Sequence, residues 1–134
     1  MTISLEKRSN FVYNKSKSTE RRVHFTMIYS LKSDKLEIKV SSLGAELQSI
    51  KGADGFEYLW QGDPQYWDGR SPILFPIVGG LPGGKYSWKG VTYEMGSHGF
   101  ARKSEFELAK QTEDTLELKL SDSEETRKQY PFAF

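Results

Sequence analysis

Three side chains in this 134-residue chain stand out as candidates to grip or protonate a polar ligand: Arg70, His98 and Arg102. Each lies in a loop beside glycine, in Gly69-Arg70 and in His98-Gly99 just before Arg102. Loops on a rigid scaffold are where polar sites collect, and a neighbouring glycine lets backbone or ligand come close. An imidazole exchanges protons near neutrality, and a guanidinium forks onto sugar hydroxyls or a phosphate. Residue type alone favours blander roles. A lone loop histidine is more often structural than catalytic, and Arg70 or Arg102 could equally pair with Asp68 or Glu94. Trp60, Trp67 and Trp88 have faces for stacking on sugars, although packing is the commoner use of a tryptophan.

Other chemistries find less support. Cysteine is absent, so a thiolate nucleophile, a disulfide framework and Cys-ligated zinc are excluded. Two histidines, one of them His24 near the N-terminus, give no ligand pair at metal spacing, and no metal or other cofactor is expected. "LPGGKYSW" lacks the full phosphate-loop spacing and leads into a strand, so a turn is the better reading. No Gly-x-Ser-x-Gly elbow and no dinucleotide fingerprint occur.

The elements that must position these residues read as β. "KLEIKV" alternates Leu36, Ile38 and Val40 with charged residues, and Leu43, Leu47 and Ile50 are expected to face the core beyond a bend or bulge at Gly44. Asp54-Gly55 predicts a turn and "FEYLWQG" a short strand. "DPQYWDGRSP" reads as loop, and "ILFPIVGGLPGG" as an apolar strand interrupted by Pro76 and then a glycine-rich turn region. "KYSWKGVTYEM" predicts a hairpin about Lys89-Gly90, and "SEFELAK" and "TLELKLSDS" two further strands. A short helix capped by Ser123 should stop before Pro131, after which Phe132-Ala133-Phe134 looks like the start of a strand. Many short strands joined by Gly/Pro turns predict an all-β antiparallel sandwich.

Charge divides the chain. Residues 1–26 carry six Lys or Arg against two Glu and show no sustained period, which reads as a basic flexible extension. The remaining residues carry thirteen Lys or Arg against sixteen Asp or Glu, a balance that argues against a nucleic-acid surface. No apolar run reaches the length of a membrane helix, and no signal peptide is evident. With the missing cysteines this gives a cytoplasmic expectation and no membrane partner. Asn14-Lys15-Ser16 matches a glycosylation sequon that carries little meaning without a secretory route.

Three motifs in order then carry a specific resemblance: Leu43-Gly44-Ala45-Glu46-Leu47, Gly69-Arg70-Ser71-Pro72 with Phe75-Pro76, and His98-Gly99-Phe100-Ala101-Arg102. With Tyr130-Pro131-Phe132, they closely resemble the N-terminal half of the aldose 1-epimerase (galactose mutarotase-like) family. Within it they look most like the branch that includes the lactose-operon X proteins and the hexose-6-phosphate 1-epimerases. The resemblance covers residues 27–134 and leaves 1–26 outside it.

The resemblance implies a truncated galactose mutarotase-like supersandwich and a small-molecule sugar or sugar phosphate as partner. It implies interconversion of α and β anomers by a base at the C1 hydroxyl and an acid at the ring oxygen. Arg70 and His98 match positions that hydrogen-bond the sugar, His98 near the reacting oxygens and so the catalytic candidate. Arg102 matches the branch in which a basic residue meets a sugar phosphate. The family's second histidine and its catalytic glutamate have no counterpart here, and Glu46 and Glu94 are not substitutes by motif. The expectation is therefore a chain that holds the sugar without its proton-transfer pair and catalyses poorly or not at all. A non-catalytic sugar-binding or vestigial module stays open beside it. The domain is expected to continue past Phe134, and open strand edges predict self-association.

Overall fold

The computed structural model describes residues 26–134. Residues 1–25, with His24 and the Asn14-Lys15-Ser16 sequon, lie outside the described residues.

β1 (Ile28–Lys32) and β2 (Leu36–Ser41) pair antiparallel, and β2 pairs on its other side with β3 (Leu47–Gly52). Ser33 makes the first turn: its hydroxyl accepts the N–H groups of Lys35 and Leu36 at 3.2 and 3.1 Å. The alternation in β2 survives as a gradient, with Leu36 exposed, Ile38 half-buried and Val40 buried. The register slips at Lys39/Val40, and Gly44 and Ala45 take positive φ of 70° and 46°. The irregularity expected at Gly44 is thus present. Leu43, expected in the core, is instead 39% exposed. The same irregular turn swings its side chain outward, while its backbone bridges Glu105.

Two expected strands do not form. "FEYLWQG" makes only an isolated bridge, Lys51 with Glu57. The Glu57 carboxylate takes over from the ladder by accepting the N–H of Ile50 at 2.7 Å and of Leu59 at 3.1 Å, and the Ser49 hydroxyl. Those bonds, the Ser49 hydroxyl foremost, hold its pKa below the usual carboxylate value. The apolar run before Pro76 likewise yields one bridge, Phe75 with Gly99, beside a cis Phe75-Pro76 bond. Proline has no N–H to give a ladder, and the Phe75 carbonyl is taken instead by Phe100 and Ala101.

The other elements match the sequence pattern. β4 (Lys85–Trp88) and β5 (Val91–Glu94) form the hairpin, with Lys89 and Gly90 at φ of 49° and 78° in its tight turn. Tyr86 stacks on Tyr93, and its hydroxyl donates to the Gln129 carbonyl at 2.8 Å. β6 (Glu107–Gln111) pairs with β7 (Leu116–Lys119). α1 (Glu124–Gln129) starts at a capping box in which the Ser123 hydroxyl accepts the Thr126 N–H. Among the described residues, 130–134 carry no strand. Phe134 turns inward, its ring 5.0 Å from that of Phe75 and 5.9 Å from that of Phe100.

The described residues therefore hold three antiparallel sheets of three, two and two strands and one short helix. The buried hydrophobic side chains are few: Val40, Met95, Phe100 and Ala101. Beside them Phe75 meets Phe100, Tyr130 and Phe134 edge to face. No helix among the described residues is long and apolar enough to cross a membrane.

Candidate sugar site

His98 is held in a conformation that L-residues avoid. Its φ is 65°, which costs about 1–3 kcal/mol and persists only where neighbours enforce it. Gly79 does so twice. The His98 N–H donates to the Gly79 carbonyl at 2.8 Å, and the Gly79 N–H donates to His98 Nδ1 at 2.9 Å. An accepting Nδ1 places the proton of the neutral ring on Nε2. The half-buried imidazole thus keeps one N–H donor for a partner.

The next residue locks the turn to the core. A Cβ on Gly99 would lie 2.2 Å from the Phe75 carbonyl oxygen, so only glycine fits. Phe100 and Ala101 then donate their N–H groups to that oxygen at 2.9 and 3.2 Å, burying both side chains.

Arg102 follows on a single 3₁₀ turn, Ala101–Lys103. Its Nη2 donates to the Ser97 carbonyl at 3.2 Å, tying the guanidinium to the histidine turn. The backbone of Arg102 packs against Gly44, where a Cβ would meet its carbonyl at 2.9 Å. The Gly44 N–H also donates to the Ser104 carbonyl.

Arg70 reaches the same neighbourhood from the other side of that bulge. Its N–H and that of Ser71 donate to Glu46 Oε1 at 2.9 and 3.1 Å. Its Nη1 runs close to Gly62, 3.2 Å from where a Cβ would stand. The Trp67 indole lies over Gly69, and Trp60 Nε1 donates to the Trp67 carbonyl at 3.0 Å. Trp88 is elsewhere, tilted against Phe132.

The ion pairs anticipated for the arginines do not form. Glu94 pairs with Lys85 at 3.0 Å, and among the described residues neither Arg70 nor Arg102 has a carboxylate within salt-bridge distance. The Nε of each is buried without a hydrogen-bond partner. Neither guanidinium is neutralised by a carboxylate among the described residues, and that of Arg102 spends one donor on Ser97.

The segment 44–46 thus connects the loops of Arg70 and Arg102, and Arg102 is bonded to the turn of His98. No hydrogen bond joins His98 to Arg70 among the described residues. The larger hollows lie apart from all three. One of about 640 Å³ is lined by Leu31, Leu36, Ile38 and the 112–114 turn, one of about 430 Å³ by the 32–37 turn and residues 51–55, and one of about 360 Å³ by Ile73, Phe75, Ala101, Phe106, Leu120 and Phe134. Another, of about 520 Å³, runs from Gly83 to Gly96, next to Ser97. Two residues of this site were not singled out by their types: Gly79, read as part of a turn, and Glu46, weighed only as a substitute acid. The Leu-Gly-Ala-Glu bulge was the available signal for Glu46.

A sequence model of the aldose 1-epimerase family matches residues 27–134. Chromosomal protein LacX of Lactococcus lactis subsp. lactis is 38% identical over 116 residues, covering 81% of this chain and 38% of that protein. Among solved structures, a galactose mutarotase related enzyme from Lactobacillus acidophilus superposes with a TM-score of 0.78 at 44% identity, over 80% of this chain and 36% of that one. A galactose mutarotase-like protein from Lactobacillus casei ATCC 334 gives a TM-score of 0.77 at 33% identity, over 80% and 37%. The chain spans a little over a third of the length of these relatives. Its sheets are those of a galactose mutarotase-like fold, and the chain belongs to the aldose 1-epimerase family.

Proposed function

We propose that residues 27–134 form the part of an aldose 1-epimerase-type sandwich that holds a hexose or hexose 6-phosphate, with residues 1–26 an extension outside it. Arg70, His98 and Arg102 are its sugar contacts. The observation that carries this reading is the strained histidine turn with the Arg102 guanidinium bonded to it through Ser97, and with neither Arg102 nor Arg70 paired to a carboxylate among the described residues. Backbone strain maintained by specific neighbours is characteristic of functional sites.

Each residue then has a role set by its atoms. His98 presents Nε2–H, a donor suited to a hydroxyl or ring oxygen. With Nδ1 occupied by Gly79 it has no free lone pair to take a proton. It polarises a sugar oxygen and leaves proton removal to another group. Arg70 suits hydroxyl pairs, and Arg102 suits a phosphate, where a two-pronged grip adds geometry as well as energy. Anomer interconversion in a whole family protein needs an acid and a base acting on neighbouring oxygens, which this reading assigns partly to residues other than these three.

The same tautomer favours a second reading, a module that binds sugar without turnover. Titration with glucose, galactose and their 6-phosphates tests binding, and NMR anomer exchange tests turnover. Saturable binding lost in His98→Ala supports the site. Binding and exchange both untouched by that change would remove His98 from it.

A further inference from the structure

We propose that Glu46 is a positioning residue for Arg70, fixing the base of that side chain so that its guanidinium is presented unspent. The proposal deepens the sugar-site reading above and rests on it for its ligand.

Arg70 lies in an irregular stretch, 69–72, with no strand ladder to hold it. Pro72 offers no N–H, and the Asp68-Gly69 turn before it is exposed or half-exposed. The tether is one carboxylate oxygen: Glu46 Oε1 accepts the N–H groups of both Arg70 and Ser71. Bonds to a charged acceptor are about twice as strong as neutral ones. The other oxygen is steadied by Gln48 Nε2 at 3.2 Å. The carboxylate is itself set by the positive-φ pair Gly44-Ala45 that precedes it, on the bulge that also abuts Arg102.

Glu46 makes no salt bridge to the Arg70 guanidinium among the described residues. Its charge is directed at backbone donors, and the guanidinium passes Gly62 with Nε buried and unpartnered. The carboxylate orients the arginine and leaves its charge for a ligand.

The experiment compares the 134-residue chain with Glu46→Gln and Glu46→Ala. Amide hydrogen exchange is read at Arg70, Ser71 and, as a control, Phe100. The Arg70 Nε–H signal is read in ¹H–¹⁵N spectra, and Kd is measured for glucose and glucose 6-phosphate. The Arg70 and Ser71 amides of the unsubstituted chain should be protected although they lie outside any strand. Glu46→Ala should speed their exchange by about tenfold or more, leave Phe100 unchanged, average the Nε–H signal and weaken binding by about tenfold. Gln keeps one acceptor oxygen, and the Gln48 amide can turn to meet its NH₂, so Glu46→Gln should stay within about threefold in binding.

Unprotected amides in the unsubstituted chain, or a Gln variant no better than Ala, would overturn the proposal. The first of these readouts holds even if Glu46→Ala fails to fold. A chain that binds neither sugar sinks the functional reading alone, because exchange and the Nε–H signal still decide the role of Glu46.

Discussion

His98 and Gly79 are bonded to each other in both directions, backbone N–H to carbonyl at 2.8 Å and amide N–H to imidazole Nδ1 at 2.9 Å. The second bond makes a spectroscopic prediction. The ¹⁵N shifts of the neutral ring should show the proton on Nε2, with Nδ1 in the accepting range. A protonated Nδ1 in the neutral ring would contradict the donor role assigned to Nε2.

The same position separates strain from function. His98→Ala keeps a Cβ at φ of 65°, whereas His98→Gly does not. Both lose the imidazole and its Gly79 bond. The glycine variant should therefore be the more stable of the two by about 1 kcal/mol in urea unfolding, while both lose sugar binding. Equal stabilities would mean that the backbone there is not strained in solution.

Gly99 should tolerate even less. A Cβ there would overlap the Phe75 carbonyl, which is backbone and also receives two other hydrogen bonds. Gly99→Ala should cost more than about 3 kcal/mol, a loss confined to a few specific mechanisms. Gly90→Ala is the control: its φ is 78° but nothing lies within 4 Å of the added carbon, so only the left-handed penalty of about 1–2 kcal/mol remains. Denaturant midpoints of the two variants give the comparison directly.

How much of this was legible beforehand depends on what each residue answers to. The β4–β5 hairpin and the Ser123 cap are local chemistry, a two-residue positive-φ turn and a hydroxyl near free N–H groups, and the sequence shows both. The three motifs that mark Arg70, His98 and Arg102 were readable as a family pattern. "FEYLWQG" misled because its β-favouring residues say nothing of the Glu57 carboxylate, which replaces the ladder from the side. Leu43 misled because a bulge reverses the face that alternation assigns. Gly79 was invisible as a histidine partner, since its contribution is a backbone N–H that every residue but proline carries.

Acid should weaken the fold in a defined window. Glu57 and Asp122 both have pKa values lowered in the folded state, Glu57 chiefly by Ser49 and Asp122 chiefly by Arg127. In the unfolded chain they return to the ordinary carboxylate values of 4.5 and 3.8. Between those values and the lower folded ones the unfolded state binds more protons, so stability there rises with pH. Their contribution is complete above the ordinary values and disappears as the pH falls through the folded ones. Glu57→Gln and Asp122→Asn should flatten this acid limb of a urea-midpoint profile and leave its slope above pH 6 unchanged. An unaltered acid limb would mean that the two carboxylates are not bonded in solution as they are here.

Self-association follows from the edges. β6 and β7 form a sheet of two strands, so each offers an outer row of unpaired backbone groups, and every residue of β6 is exposed. Leu108 in β6 is 44% exposed, and Ile73 and Phe106 border the nearby apolar hollow. An open edge beside apolar surface pairs readily with a second copy of the same chain. The mass seen by light scattering should therefore rise with concentration above the 15.3 kDa of one chain. Leu108→Lys places a charge on the exposed edge without emptying any packed position, so it should lower association while leaving the unfolding midpoint within about 0.5 kcal/mol. A constant monomer mass up to millimolar concentration would show that these edges are blocked in solution.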